Sequence, residues 1–181
     1  MRAVFDRLSA LLALALVLAS LWGLQSMRQG IVITQQTVGQ TPVIRYAFED
    51  ASGPVIVVAH GFAGSAQMMQ AYALTLAQAG FRVFIFDFEG HGRNPVPMSG
   101  DVTAIDGTTR LLMDQTLEVV GAVAEPDRPT GVLGHSMATD VLVRAALTDD
   151  VDIGPLVLLS AFSGAVTADA PRDMVMIAGQ W

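Results

Sequence analysis

Five short runs in this chain are apolar without alternation, and they constrain its fold more than anything else in it. They are Val55–Ala59 (VIVVA), Val83–Phe86 (VFIF), Gly131–Leu133 (GVL), Leu156–Leu159 (LVLL) and Met174–Ile177 (MVMI). A strand with one face in water alternates polar and apolar residues. A run apolar at every position must be covered on both faces, which is the condition of a parallel sheet between layers of helix. Helical segments fall between the runs. The spacing predicts helices over Ala66–Ala79, ending at Gly80, over Thr109–Ala124, ending before Pro126, and over Met137–Leu147. Strand alternating with helix means an α/β fold with a mostly parallel sheet and right-handed crossovers. Ahead of the first run, Ile31–Thr37 and Val43–Phe48 flank Gly39 to Pro42 and read as an antiparallel hairpin. The Gly90–Gly107 connection is long enough to be expected as a wall of a site.

Before the hairpin stands a different kind of segment. Leu8–Met27 is 20 residues without a charge, preceded by Arg2 and Arg7 and followed by Arg28. As a helix it reaches about 30 Å, the thickness of a hydrocarbon core. It is apolar all round rather than striped, which argues against a surface helix of a globular core. The basic start places the N-terminus in the cytoplasm and the remainder on the exported side, with Trp22 near the far interface. Residues 1–30 are therefore expected to be a signal anchor, and residues 31–181 the folded domain. The alternative is a cleaved signal peptide, with Val17-Leu18-Ala19 as its small-residue site and a secreted product.

Composition narrows the chemistry. The 181 residues carry net charge -7, and all ten cations are Arg, so nucleic acid is not an expected partner. The chain has no Cys, which excludes disulfides, thiolate zinc sites and a Cys nucleophile. Its three histidines, His60, His91 and His135, are too scattered to form a metal site, and no cofactor is expected.

Chemistry must come from Ser, Asp, Glu, His and Gly. Gly134-His135-Ser136-Met137-Ala138 directly follows one apolar run and directly precedes a helix. A Ser between small residues at a strand-to-helix turn can take a strained conformation that holds its hydroxyl out at the sheet edge. The usual pattern is Gly-x-Ser-x-Gly, and here Ala138 stands in the last place. The simpler reading of Ser136 is a helix N-cap. His60-Gly61-Phe62-Ala63-Gly64-Ser65 follows VIVVA, and its glycines allow a backbone N–H to turn toward a developing oxyanion. The simpler reading there is a plain loop capped by Ser65. Asp87-Phe88-Glu89-Gly90-His91-Gly92-Arg93-Asn94 reads as a structural turn whose Asp and His bond the local backbone. His135, next to Ser136 in the chain, points elsewhere and is a poor general base.

Taken together, HGFAG (60–64), DFEGHGRN (87–94) and GHSMA (134–138), in this order, resemble the α/β-hydrolase family over about residues 31–181. The resemblance implies Ser136 as nucleophile and the backbone N–H groups of Phe62 and Met137 as oxyanion donors. It places His60 and Gly61 at the substrate, and the Asp87 segment as the family's turn after the fourth strand. It implies a serine esterase or lipase acting on a small-molecule or lipid ester, held at the membrane by the N-terminal helix. The alternative is a non-catalytic module of the same fold that binds a lipid or a protein partner.

In the family the acid follows the seventh strand and the His follows the eighth. Here 156–159 is read as the sixth strand and 174–177 as the seventh, and no His occurs after Ser136. Asp169 or Asp173 could supply an acid. The expectation is therefore an N-terminal portion of a longer hydrolase, nearly inactive by itself, with strand seven as an exposed edge. The 14 residues of 160–173 leave no room for a large cap between strands six and seven.

Overall fold

The computed structural model describes residues 2–99, 105–148, 150–161 and 173–178. Helix α1 (Arg2–Ser26) is followed by hairpin strands β1 (Ile31–Val38) and β2 (Thr41–Phe48). Next come β3 (Val55–Ala59), a 3-10 turn (Ala66–Met69), α2 (Gln70–Gln78) and β4 (Arg82–Phe86). The order continues through α3 (Ile105–Val123), β5 (Thr130–His135), α4 (Ala138–Ala145), β6 (Ile153–Leu159) and β7 (Met174–Ile177). The seven strands among the described residues join one sheet in the order β1-β2-β4-β3-β5-β6-β7. The hairpin is antiparallel, and β2 meets β4 antiparallel, whereas β4, β3, β5, β6 and β7 run parallel.

The unbroken apolar runs of β3 and β4 are covered on both faces as their pattern requires, whereas MVMI, in edge strand β7, leaves Val175, Met176 and Ile177 exposed. Along β3 and β4, Val57, Phe84 and Phe86 face one core with Leu112, Val119 and Val120 of α3 and Val141 and Leu142 of α4. Val58, Val83 and Ile85 face the other core with Ala73, Leu74 and Ala77 of α2. Burying each such aliphatic side chain is worth about 1.5–3 kcal/mol, so both faces hold the sheet.

Two helices depart from expectation. The first turn of the 66–79 segment is 3-10 rather than α. Ser65 offers no side-chain cap there, and the Met68 N–H closes instead on the Ser65 carbonyl at 3.0 Å. Helix α3 starts at Ile105, four residues before Thr109. Within the Gly90–Gly107 connection, residues 100–104 lie outside the described residues, as do 162–172 between β6 and β7.

Chain order and strand order create the site. From β3 the chain goes through α2, on one face, to β4. From β4 it returns through α3, on the other face, to β5, which lies on the far side of β3. The loops leaving β3 and β5 therefore part toward opposite faces while their strands stay paired, Ala59 against Gly134. A crevice at the carboxyl ends of such strands is where open α/β sheets bind ligands.

Helix α1 packs against none of this. Its span Arg7–Ser26 is long and apolar enough to cross a membrane, and none of it is buried. Gln78 Nε2 donates to the carbonyls of Met27 (2.9 Å) and Gln29 (3.2 Å), which fixes the point where α1 meets the domain.

Candidate active site

Ser136 directly follows β5 with φ at 52°, a left-handed conformation that costs an L-residue about 1–2 kcal/mol. Three contacts hold it there. Its N–H donates to the Leu159 carbonyl of β6 at 2.9 Å. Its carbonyl accepts from the Thr139 N–H at 2.9 Å and from Thr139 Oγ1 at 2.6 Å. Helix α4 thus departs immediately, with Met137 at the N-cap position and no side-chain cap bond. An N-cap role for Ser136 does not fit this backbone, since N-caps are extended. Small residues permit the sharp turn. A Cβ on Gly134 would stand 2.6 Å from Leu142 Cδ1 and 3.2 Å from the Ala138 carbonyl, so only glycine lets strand and helix approach.

The β3 loop lies directly over this turn. A Cβ on Gly61 would stand 3.1 Å from Ser136 Cβ, 3.1 Å from His135 Nδ1 and 3.2 Å from the His135 carbonyl oxygen. The contribution of Gly61 is clearance for the two turns to meet. Beyond it the chain folds back, the Gly64 N–H donating to the Gly61 carbonyl at 2.9 Å. Neither the Phe62 N–H nor the Met137 N–H donates to any group among the described residues, and the Ser136 hydroxyl likewise has no partner among them. Two free backbone donors and one free hydroxyl therefore belong to two turns that touch. Phe62 is 65% exposed.

His60 is not where a substrate contact would be. Its ring is fully buried, and both nitrogens are taken. The Phe88 N–H donates to Nε2 at 3.1 Å, so the proton sits on Nδ1 and is donated to the Gly61 carbonyl at 2.7 Å. Burial pushes this imidazole below its ordinary value. The bond to the Gly61 carbonyl opposes it less strongly, and His91, pushing down, and Asp87, pushing up, contribute less again. The expectation for His60 is revised accordingly: it shapes the loop from beneath and has no free nitrogen for a ligand.

The β4 turn is structural, as read from the sequence. Asp87 accepts the Ala66 N–H on Oδ1 at 2.6 Å and the Arg93 N–H on Oδ2 at 3.0 Å. Its carbonyl accepts from Asn94 Nδ2 and Gln115 Nε2. His91 Nδ1 donates to the Glu89 carbonyl at 2.8 Å. Among the described residues no His bonds to the Ser136 hydroxyl. Asp173 is exposed before β7, where its carbonyl accepts the Leu156 N–H, and Asp169 lies outside the described residues. Among the described residues no group of three or more His, Cys, Asp and Glu side chains could hold a metal.

Sequence reading had no access to the Leu159 carbonyl or to Thr139, which pin the Ser136 turn. Nor does the local sequence mark Ser160, which directly follows β6 beside the turn and is, among the described residues, the other non-glycine residue at positive φ (49°).

A parallel sheet with a strained strand-to-helix serine beside a glycine loop defines an α/β-hydrolase-type domain. Residues 51–180 match the family model described as Serine aminopeptidase, S33 (Hydrolase_4), and the chain belongs to this α/β-hydrolase family. It is 27% identical over 113 residues to "Putative carbamate hydrolase RutD" of Variovorax paradoxus (strain S110), covering 62% of this chain and 40% of that protein. Among solved structures it is similar to the "putative lipase (lip1)" of Acinetobacter baumannii AYE. That likeness has TM-score 0.58 and 23% identity, over 76% of this chain and 44% of the other. It is also similar to a structure described as a membrane phospholipase A, a bacterial virulence factor. There the TM-score is 0.58 and the identity 18%, over 88% of this chain and 52% of the other. The chain thus spans about two fifths of the length of the curated relative it matches.

Proposed function

We propose that this domain is the nucleophile-bearing part of a serine hydrolase that cleaves an acyl ester through an acyl-enzyme on Ser136. The observation that carries this reading is the pairing of the strained Ser136, whose hydroxyl has no partner among the described residues, with the Phe62 and Met137 N–H groups on adjoining turns, likewise without partners among them. Oγ attacks the acyl carbonyl, and its proton passes to a general base. The N–H groups of Phe62 and Met137 hold the oxyanion. The alcohol leaves with a proton, and water then cleaves the acyl–Oγ bond to release the acid and restore the hydroxyl. A Ser rather than an Asp nucleophile favours acyl transfer over the alkyl-enzyme chemistry of dehalogenases. The exposed Phe62 ring, on the loop that adjoins the Ser136 turn, favours an apolar acyl group. The apolar, unpacked α1 supports a membrane setting, with the domain on the exported side.

The test is labelling by a fluorophosphonate probe, together with hydrolysis of p-nitrophenyl esters, in a protein that carries this domain together with its general base; residues 1–181 alone should label little or not at all. Labelling should map to Ser136. Ser136→Ala should abolish labelling and lower turnover by a factor on the order of 10⁶ while the protein remains folded. An unlabelled protein that nevertheless binds lipid vesicles would replace this reading with the non-catalytic one.

A further inference from the structure

The turn after β4 is a closed piece of structure, yet one of its rings reaches out of it. His91 is fixed at three points inside the turn. Its N–H donates to the Phe88 carbonyl at 3.0 Å, its carbonyl accepts the Asn94 N–H at 3.0 Å, and Nδ1 donates to the Glu89 carbonyl at 2.8 Å. The ring so held lies against the loop after β3. Its centroid is 5.2 Å from that of His60 at 53°. It is 5.9 Å from that of Phe62 in an edge-to-face arrangement at 75°. Among the described residues, His91 is the one ring in contact with Phe62, whose side chain is otherwise largely in water.

We infer that His91 is a positioning residue, which holds the Phe62 backbone N–H in place over Ser136 through its ring contact with the Phe62 side chain. This rests on the oxyanion role proposed for Phe62. The loop from Gly61 to Gly64 is closed by one backbone bond, Gly64 N–H to the Gly61 carbonyl, and the Phe62 N–H itself has no partner among the described residues. The ring therefore supplies what the backbone lacks, a restraint on the tip. His60 braces the same loop from beneath, packed against the same His91 ring, so the β4 turn grips the loop on two sides. An oxyanion donor must be preorganised to count, and displacement of about 1 Å can cost on the order of 10²-fold in rate.

Two substitutions separate the ring from the turn. His91→Asn can keep a side-chain donor for the Glu89 carbonyl and removes the ring. His91→Phe keeps a ring and removes the donor. In a protein that carries this domain together with its general base, ester hydrolysis in detergent micelles should fall about 10- to 100-fold in kcat for His91→Asn, with KM within about twofold. His91→Phe should stay within about threefold of the parent. Amide exchange at Gly64 should quicken about tenfold in His91→Asn and not in His91→Phe. The reverse pattern, or equal loss in both variants, assigns the effect to the turn hydrogen bond and overturns the inference. So does parental behaviour in His91→Asn. A parent without hydrolytic activity, or a Ser136→Ala variant that keeps it, is failure of the hydrolase reading instead. Gly64 exchange then decides the positioning claim, and an unchanged rate in His91→Asn overturns it.

Discussion

The loops after β3 and β4 leave neighbouring strands at the same sheet edge, yet they treat their polar groups in opposite ways. The β4 turn spends its side chains on itself and its surroundings. Asp87 takes two backbone N–H groups, and Asn94, His91 and Gln115 each bond a backbone carbonyl of that turn. The β3 loop and the Ser136 turn beneath it leave the Phe62 and Met137 N–H groups, among others, and the Ser136 hydroxyl without partners among the described residues. Buried and half-buried polar groups are nearly always satisfied, so a cluster of open ones beside a satisfied turn needs an explanation. The rigid turn makes the open one possible. The Asp87 carboxylate fixes the start of the 3-10 turn at Ala66, and the Phe88 N–H fixes His60.

That contrast can be broken at the rigid side first. Asp87→Ala strands two N–H groups, one of them fully buried, and should destabilise the domain by about 3 kcal/mol, seen in chemical denaturation. Catalysis should fall as well, because the loop it braces loosens. A denaturation midpoint equal to that of the parent would show that the turn is not the brace.

Gly61→Ala probes the open side. The added methyl meets His135 Nδ1 and Ser136 Cβ at 3.1 Å, so the loop must shift by a few tenths of an ångström. Turnover should drop about tenfold, with a stability change within about 1 kcal/mol. A loss of stability without a loss of rate would mean that the contact serves packing alone.

The smallest effect is in pH. The folded-state pKa of His60 is depressed below its ordinary 6.5 by burial. Below about pH 6.5 the unfolded chain takes up a proton that the folded chain still refuses. Stability present above that pH is therefore lost as pH falls through the folded value, by at most about 1.4 kcal/mol per unit. Denaturation curves at pH 7.5, 6.5 and 5.5 should reveal the decline, and His60→Gln should flatten it. A slope unchanged by that substitution would place the titration elsewhere.

The layered fold was legible because a run such as VIVVA carries an unambiguous burial pattern, and β3 begins and ends where that run does. MVMI fixed the bounds of β7 but not its surroundings, since this edge strand leaves Val175, Met176 and Ile177 exposed. The Ser136 turn was legible because small residues at positions 134 and 138 have few other reasons to flank a Ser. Contacts between segments distant in the chain were not legible. Nothing local marks Leu159 as the acceptor for the Ser136 N–H, and nothing in HGFAG says that His60 faces inward. That orientation follows from the Phe88 N–H arriving from β4, which the strand order dictates and the local sequence does not. Ala138 in place of glycine proved sterically sufficient, since the close approach falls at Gly134.

The left-handed backbone at Ser136 has a consequence for anyone who selects variants of this chain by heat alone. Glycine adopts φ near 52° without the penalty that a side chain incurs there, so Ser136→Gly should gain up to about 1 kcal/mol. The same holds for Ser160 at φ 49°. A thermal screen blind to turnover would enrich glycine at both positions, and at 136 it would discard the hydroxyl in doing so. Resistance to heat and chemical competence pull this residue in opposite directions, and a library sorted on the first will drift away from the second.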